Sequence, residues 1–164
     1  MANILDHLDI ERKINRLAHE IIENTFEEPI IFIGGISGNG FLIAESIKRI
    51  MSEHSEQELI VFEININKDE PWKNQIQLSI EESKLKNAFI LLVDDVLNSG
   101  RTMQYALIKF LEGPTKSIKT VALVDRKHRR YPIKADFVGL NLSTTLKERV
   151  EVELNETSSR AYLV

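Results

Sequence analysis

Between residues 89 and 102 the chain reads Phe-Ile-Leu-Leu-Val-Asp-Asp-Val-Leu-Asn-Ser-Gly-Arg-Thr. Its opening apolar run leaves a strand no polar face, so both faces must be covered, as in the centre of a parallel sheet layered between helices. The run closes on two adjacent carboxylates, Asp94 and Asp95, followed by small and hydroxyl-bearing residues suited to a turn into a helix N-terminus. In open α/β sheets ligands gather at this carboxyl end of the strands.

Residue type then suggests the chemistry. Ser99, Gly100 and Thr102 are small enough for successive backbone N–H groups to turn inward on a phosphate, with two hydroxyls and the positive end of the new helix adding to the attraction. Adjacent carboxylates accept hydrogen bonds from vicinal hydroxyls such as those of a ribose. Together the two parts predict a ribose-phosphate site. The plainer alternative is a capped strand-to-helix turn whose carboxylates merely satisfy backbone donors. Composition alone rarely sets all these parts in this order.

The rest of the chain fits one α/β domain over residues 1–164. Its 164 residues are 43% hydrophobic with four Pro and seven Gly, enough for a core and unlike a disordered chain. Ile10, Ile14, Leu17 and Ile21 recur at helical spacing within a first helix over residues 9–24, and Arg12, Arg16 and His19 form a second stripe about half a turn away. Residues 30–33 predict a short buried strand, ended by a glycine loop over 34–40, with a helix following to Met51. Phe62, Ile64 and Ile66, then Ile76, Leu78 and Ile80, alternate as the two arms of a hairpin flap with a polar connection over 68–73. Met103, Ala106, Leu107, Phe110 and Leu111 trace a helix stopped by Gly113-Pro114. Strands over 120–124 and 137–142 complete a central, mostly parallel sheet flanked by helices, and 150–154 adds an edge.

Several function classes fall away. The absence of Cys excludes disulfides, thiolate metal sites and thiol nucleophiles. A net charge of −4 gives no global basic field, so nucleic-acid contact requires a local patch. With no apolar stretch approaching 18 residues and no basic-then-apolar leader, a soluble cytoplasmic protein without a membrane partner is expected.

The glycine loop imitates three motifs and completes none. From Gly35 to Gly40 the spacing is that of a P-loop, but Phe41 and Leu42 replace the Lys and Ser/Thr that grip phosphates. Gly38-Asn39-Gly40 lacks the third glycine of a dinucleotide fingerprint, and Asn39 replaces the closing glycine of a hydrolase elbow. A flexible backbone cradle for a diphosphate and a plain strand-to-helix turn both remain open.

The 89–102 string resembles the phosphoribosyl-diphosphate (PRPP) signature of type I phosphoribosyltransferases. A haloacid-dehalogenase arrangement fits worse, since it needs one residue between its two Asp. The resemblance assigns the ribose hydroxyls, and with them the catalytic role, to Asp94 and Asp95, and the 5-prime phosphate to Asn98, Ser99, Gly100, Arg101 and Thr102. The segment 121–139, together with Ile4-Leu5-Asp6 and Arg16-Leu17-Ala18-His19-Glu20, is similar to the pyrimidine operon attenuation regulator/uracil phosphoribosyltransferase family. That family implies PRPP carried with Mg²⁺, a nucleobase (uracil first) turned into its nucleotide with release of diphosphate, and leader RNA as a further partner. It also implies a base region at Asp125, Arg126 and Lys127, and a diphosphate loop at Ser37, Gly38 and Asn39. RNA-facing positions match Arg12, Arg16, His19, His128 and Arg129, with Lys134 replacing an Arg, while Asn15 and Leu140 depart from the family's Thr and Lys. A basic face of this kind suits a homodimer.

Bottom-up, residues 126–134 are the one concentrated basic segment, which phosphate contacts would need. Charge runs are more often solvated surface, and Glu11, Glu20 and Glu23 dilute the helix's positive stripe. Two departures touch the chemistry: Ser37 and Asn39 stand where the family has Lys and Arg, and the flap is short and lacks Arg, leaving Lys68 and Lys73 as its cations. Departing diphosphate concentrates negative charge that must be neutralised.

Overall fold

The computed structural model describes residues 1–164. In chain order the elements are β1 (Ala2–Leu5), α1 (His7–Thr25), β2 (Ile30–Ile36), α2 (Asn39–His54), β3 (Glu58–Asn65), β4 (Gln77–Leu78), a 3₁₀ turn at Glu82–Leu85, β5 (Phe89–Leu97), α3 (Arg101–Phe110), β6 (Ser117–Asp125), β7 (Phe137–Asn141), β8 (Val150–Glu153) and β9 (Arg160–Leu163). They build a six-stranded sheet ordered β4-β3-β2-β5-β6-β7 and a three-stranded sheet ordered β1-β9-β8. In the larger sheet β3, β2, β5, β6 and β7 are parallel and only β4 runs antiparallel. β5 therefore lies in the middle, with Phe89 to Asp94 all buried.

Why α1 forms is visible in its first turn. Asp6 and Asp9 exchange side-chain-to-backbone hydrogen bonds of 2.8 and 3.1 Å, a reciprocal capping box that satisfies two otherwise orphaned donors. The stripe Ile10, Ile14, Leu17 and Ile21 is buried as its spacing predicts, and joins Ile43 and Ile47 of α2 in a core against one face of the sheet. Fully burying each such side chain stabilises the fold by about 1.5–3 kcal/mol. On the opposite face α3 packs Met103, Ala106 and Phe110 against Phe62, Ile64, Ile90 and Leu92.

Three sequence expectations change. Gly34 and Gly35 do not begin a loop: β2 continues through them to Ile36. A Cβ at Gly34 would stand 2.6 Å from the Phe62 ring, and one at Gly35 would stand 2.5 Å from the Phe41 Cα, so glycine here admits close neighbours to an ordinary strand. The flap is also smaller than 62–80, because β3 pairs with β2 along its whole length and buries Phe62 and Ile64 in the core. Only residues 66–76 lie free of the sheet, between β3 and the short β4 that closes the hairpin by pairing with Ile64 and Asn65.

Finally, the 150–154 segment is not an edge of the main sheet. β8 pairs with β9, and β9 with β1, in a separate hood whose Leu5, Val150 and Ala161 join the α1–α2 core. The larger sheet ends instead at β7, where Arg16 of α1 donates to the carbonyls of Val138 (3.0 Å) and Gly139 (2.6 Å). No helix is long and apolar enough to cross a membrane.

Candidate active site

At the carboxyl end of β5 the backbone turns through Asn98 and Ser99 into α3, and Gly100 sits at φ +86° as its N-cap. Glycine is required there for two reasons: its backbone is left-handed, and a Cβ would stand 2.1 Å from Ile133 Cγ2. The turn is braced from behind, since Ser99 O accepts from Arg130 N (2.9 Å) and Tyr131 N (3.1 Å), and Arg129 donates to Asn98 O (2.8 Å). That bracing keeps the opening amides of α3, which have no partner within the helix, turned toward the space above the sheet.

The space is a cavity of about 490 Å³. One side is the sequence from Asp94 through Met103; the others are Lys68 of the flap and Val150, Glu151 and Val152 of β8. Asp94 is 4% exposed and Asp95 part-buried. One oxygen of each carboxylate accepts the next residue's backbone N–H, Asp95 N at 2.9 Å and Val96 N at 2.7 Å, which fixes the orientation of both groups. Asn39 Nδ2 donates to Asp95 Oδ2 (2.9 Å) and to Val152 O (2.7 Å), tying the acidic pair to the hood. Lys68 Nζ lies 3.4 Å from Asp94 Oδ1 and 3.9 Å from Asp95 Oδ1.

Charge in this corner is strongly perturbed. Burial and the neighbouring Asp95 push the Asp94 carboxyl up to about 7, against the downward pull of Lys68. For Lys68 burial pulls the other way, yet the attraction of Asp94 and Asp95 holds its ammonium above the ordinary lysine value. A cleft with a carboxyl poised between charge states beside a partner of opposite charge is the environment in which reactive groups are found.

The remaining predicted residues fall elsewhere. Ser37, Gly38 and Asn39 form the start of α2 beside the cavity and do not line it; Ser37 N already donates to Ile64 O (2.9 Å), so it adds nothing to a diphosphate cradle. Gly38, at φ +89°, caps α2 with no side-chain donor or charge. Asp125 and Arg126 are buried at the end of β6, outside the cavity lining. Asp125 accepts from Lys127 N and Arg129 Nη2, each at 2.8 Å, which holds Lys127 in a left-handed conformation at φ +60°. Arg126 donates to Asn98 Oδ1 (2.9 Å), Thr144 Oγ1 (3.0 Å), Thr145 O (3.3 Å) and Glu148 O. It is a strut that fastens the 98–102 turn to the connection between β7 and β8.

The basic positions divide in the same way. Arg16, His128 and Arg129 are bonded within the chain: exposed Arg16 holds the β7 carbonyls, His128 contacts Arg126 and the Thr144 carbonyl, and Arg129 bonds Asp125, Asn98 and Ile133. His19 packs against His54 with ring centroids 4.7 Å apart. Arg12 is exposed, and the Lys134 side chain is 86% exposed. α1 packs on one face of the sheet while Ile133 packs on the other, so the two basic groups straddle the edge strand β7.

Two components escaped the sequence reading. One is the place of β8 as a cavity wall, since residues 150–154 read as an edge of the main sheet. The other is the aromatic ladder under the flap, where Arg101 lies over Trp72 (5.7 Å), Trp72 meets Tyr105 (6.3 Å) and Tyr105 meets Tyr131 (6.5 Å). A polar connection containing one Trp was the only signal for it.

A parallel sheet with a carboxylate pair at the carboxyl end of its central strand, a small-residue turn into a helix behind it and a short flap above is the architecture of the type I phosphoribosyltransferase class. The chain belongs to the phosphoribosyl transferase family, whose domain model matches residues 1–157. It is 33% identical over 171 residues to the bifunctional protein PyrR of Bacillus cereus, an alignment covering 97% of this chain and 93% of that one, and equally to PyrR of Bacillus anthracis. The fold is that of hypoxanthine phosphoribosyltransferases: the Trypanosoma cruzi enzyme superposes with a TM-score of 0.76 at 19% identity over 92% of this chain and 85% of that one. The Staphylococcus aureus enzyme does so with a TM-score of 0.71 at 17% identity, covering 88% and 79%.

Proposed function

We propose that this phosphoribosyltransferase binds PRPP with Mg²⁺ in the 490 Å³ cavity and transfers the phosphoribosyl group to a nucleobase, uracil first, releasing diphosphate. The observation that carries the reading is that Asp94, Asp95 and the whole turn from Asn98 to Thr102 line one cavity. The turn's amides and hydroxyls would hold the 5-prime phosphate. The free lone pairs of the fixed carboxylates would accept the ribose hydroxyls and face the positive charge that develops at C1.

The residues present suit Mg²⁺ of a particular kind. No cluster of three His, Asp or Glu side chains exists to hold a metal by itself, yet the cavity offers carboxylate oxygens beside the space for a diphosphate. That donor set fits an ion that brings most of its ligands from substrate and water, with Asp94 and Asp95 as its nearest protein groups. When bound, Mg²⁺ neutralises charge on the diphosphate. In the transfer, a nucleobase nitrogen lone pair forms the bond to C1 as the C1–O bond breaks. The bonding electrons leave with diphosphate, and the base's N–H proton passes to solvent.

This reading takes residues 1–164 as one domain working in the cytoplasm, its hood and main sheet sharing one core. Incubation with PRPP, Mg²⁺ and a panel of bases, reading nucleotide and diphosphate together, tests it: uracil should yield both products in equal amounts, and no product from any base would sink it.

A second reading, a nucleotide-sensing RNA-binding regulator of pyrimidine genes, is favoured by the bifunctional designation of the PyrR relatives and by exposed Arg12 and Lys134 on either side of β7. Pairing of two copies into a homodimer would enlarge that cationic surface. Retention of a pyrimidine leader RNA on filters, strengthened by UMP, is its expected result; no UMP-dependent retention would count heavily against it.

A further inference from the structure

We propose that Lys68 is a displaceable occupant of the ribose subsite: its ammonium rests on Asp94 and Asp95 until ribose hydroxyls take those carboxylates, and is then handed to the departing diphosphate. The inference rests on the PRPP reading and adds to it the cation that the diphosphate side lacks.

Four observations lead there. First, the α2 loop contributes no positive charge, since Ser37 and Asn39 are neutral and the Asn39 amide is spent on Asp95 and Val152. Second, the two flap lysines are not equivalent: Lys73 pairs with Glu70 at 3.1 Å, within the flap, whereas Lys68 lines the cavity. Third, Lys68 is held loosely. Its 3.4 and 3.9 Å contacts exceed the usual 2.7–2.9 Å of a charge-assisted hydrogen bond, and its side chain is 44% exposed. Fourth, its root is fixed where its head is not: Arg101 Nη2 donates to Lys68 O (3.1 Å), and the same guanidinium lies over Trp72.

Arg101 belongs to the phosphate turn, so Lys68's backbone is pinned to the element that holds the 5-prime phosphate. Behind the ammonium is a flexible four-carbon stem, which lets the charge move without moving the flap. The carboxylates cannot serve lysine and ribose equally at once, so sugar binding ejects the ammonium into the space next to the acidic pair. Of the two anionic groups that PRPP brings, the 5-prime phosphate is taken by the turn, which leaves the diphosphate to receive the ammonium. Lys68 gives up no proton in the exchange and remains an ammonium throughout; it moves charge toward the oxygen that receives the C1–O electrons.

The test compares wild type with Lys68→Met and Lys68→Arg. Calorimetry measures ribose 5-phosphate and diphosphate binding separately without metal, alongside steady-state turnover with PRPP, Mg²⁺ and the accepted base. Thermal midpoints of all three proteins are recorded first, so that binding is compared at a temperature where each is folded. Lys68→Met should bind ribose 5-phosphate about threefold to tenfold more tightly, its competitor gone. It should also bind diphosphate about tenfold more weakly and turn over about 100-fold more slowly, and Lys68→Arg should recover most of both losses. Ribose 5-phosphate affinity that is unchanged or weaker in Lys68→Met, or unchanged turnover, overturns the exchange while leaving the PRPP reading intact. A wild type that binds neither ribose 5-phosphate nor PRPP overturns both.

Discussion

The two halves of the site are built in opposite ways. The half proposed to hold ribose and phosphate sits on the end of a central strand and the start of a helix, braced from behind by the 129–133 segment and by Arg126. The half proposed for diphosphate is an 11-residue excursion over 66–76, rooted in the core by Ile66 and Ile76 and tied back between them by a hydrogen bond from Arg101 to Lys68 O, the same guanidinium over Trp72, and a long ion pair. One half is fixed by its backbone and side-chain bracing. The other carries its charge on a movable arm. Rigid elements suit the part of a substrate that is held the same way before and after reaction, and a mobile arm suits the part that leaves.

The comparison is broken most severely by removing both acids. Asp94→Asn with Asp95→Asn should eliminate calorimetrically detectable PRPP binding, a loss of about 100-fold or more; unchanged affinity would place the ribose elsewhere. Next comes the brace. Gly100→Ala puts a Cβ against Ile133 at a left-handed position and should cost about 2–4 kcal/mol in denaturant unfolding, with phosphate binding lost in parallel. A preorganised half tolerates no such change, whereas the flap should tolerate most.

Third in size is a pH effect located in the rigid half. Asp94 titrates near 7 in the folded protein against an ordinary 3.8, so the native state keeps a proton that the unfolded chain has released. Its contribution to stability is therefore complete below about pH 4 and is lost as pH rises through about 7. Urea midpoints of the ligand-free protein should fall across that window, and Asp94→Asn should flatten this part of the slope; an identical slope in the variant would move the titration to another group. Smallest is Trp72→Ala, which removes a cation–π contact worth about 0.5–1 kcal/mol. It should leave the unfolding midpoint nearly unchanged while speeding proteolysis within residues 66–76.

What could be read from the chain in advance follows the same division. The signature strand, the α1 stripe and the turn into α3 were legible because each is a local pattern set by its own periodicity or turn chemistry. Gly34 and Gly35 misled because their reason is a distant ring, Phe62, and the backbone of α2 packed against them. Arg126 looked like a ligand group, since nothing nearby announces that the carbonyls of residues 145 and 148 will absorb it. The hood was illegible for a stronger reason: its register joins Ala2 to Leu163 and Val150 to Leu163, pairings that strands of four residues cannot specify by themselves.

That hood has a consequence for the order in which the protein becomes functional during synthesis. β8, which walls the cavity through Val150, Glu151 and Val152, hydrogen-bonds to β9, and β9 in turn is seated on β1. A nascent chain still short of Arg160 already carries the residues of the main sheet, the two acids and the 98–102 turn, while β8 has no partner strand. The enclosure, unlike the acids and the turn, therefore waits for residue 163 to leave the ribosome, and ligand binding by chains stalled on C-terminal extensions of increasing length would show what the wall adds.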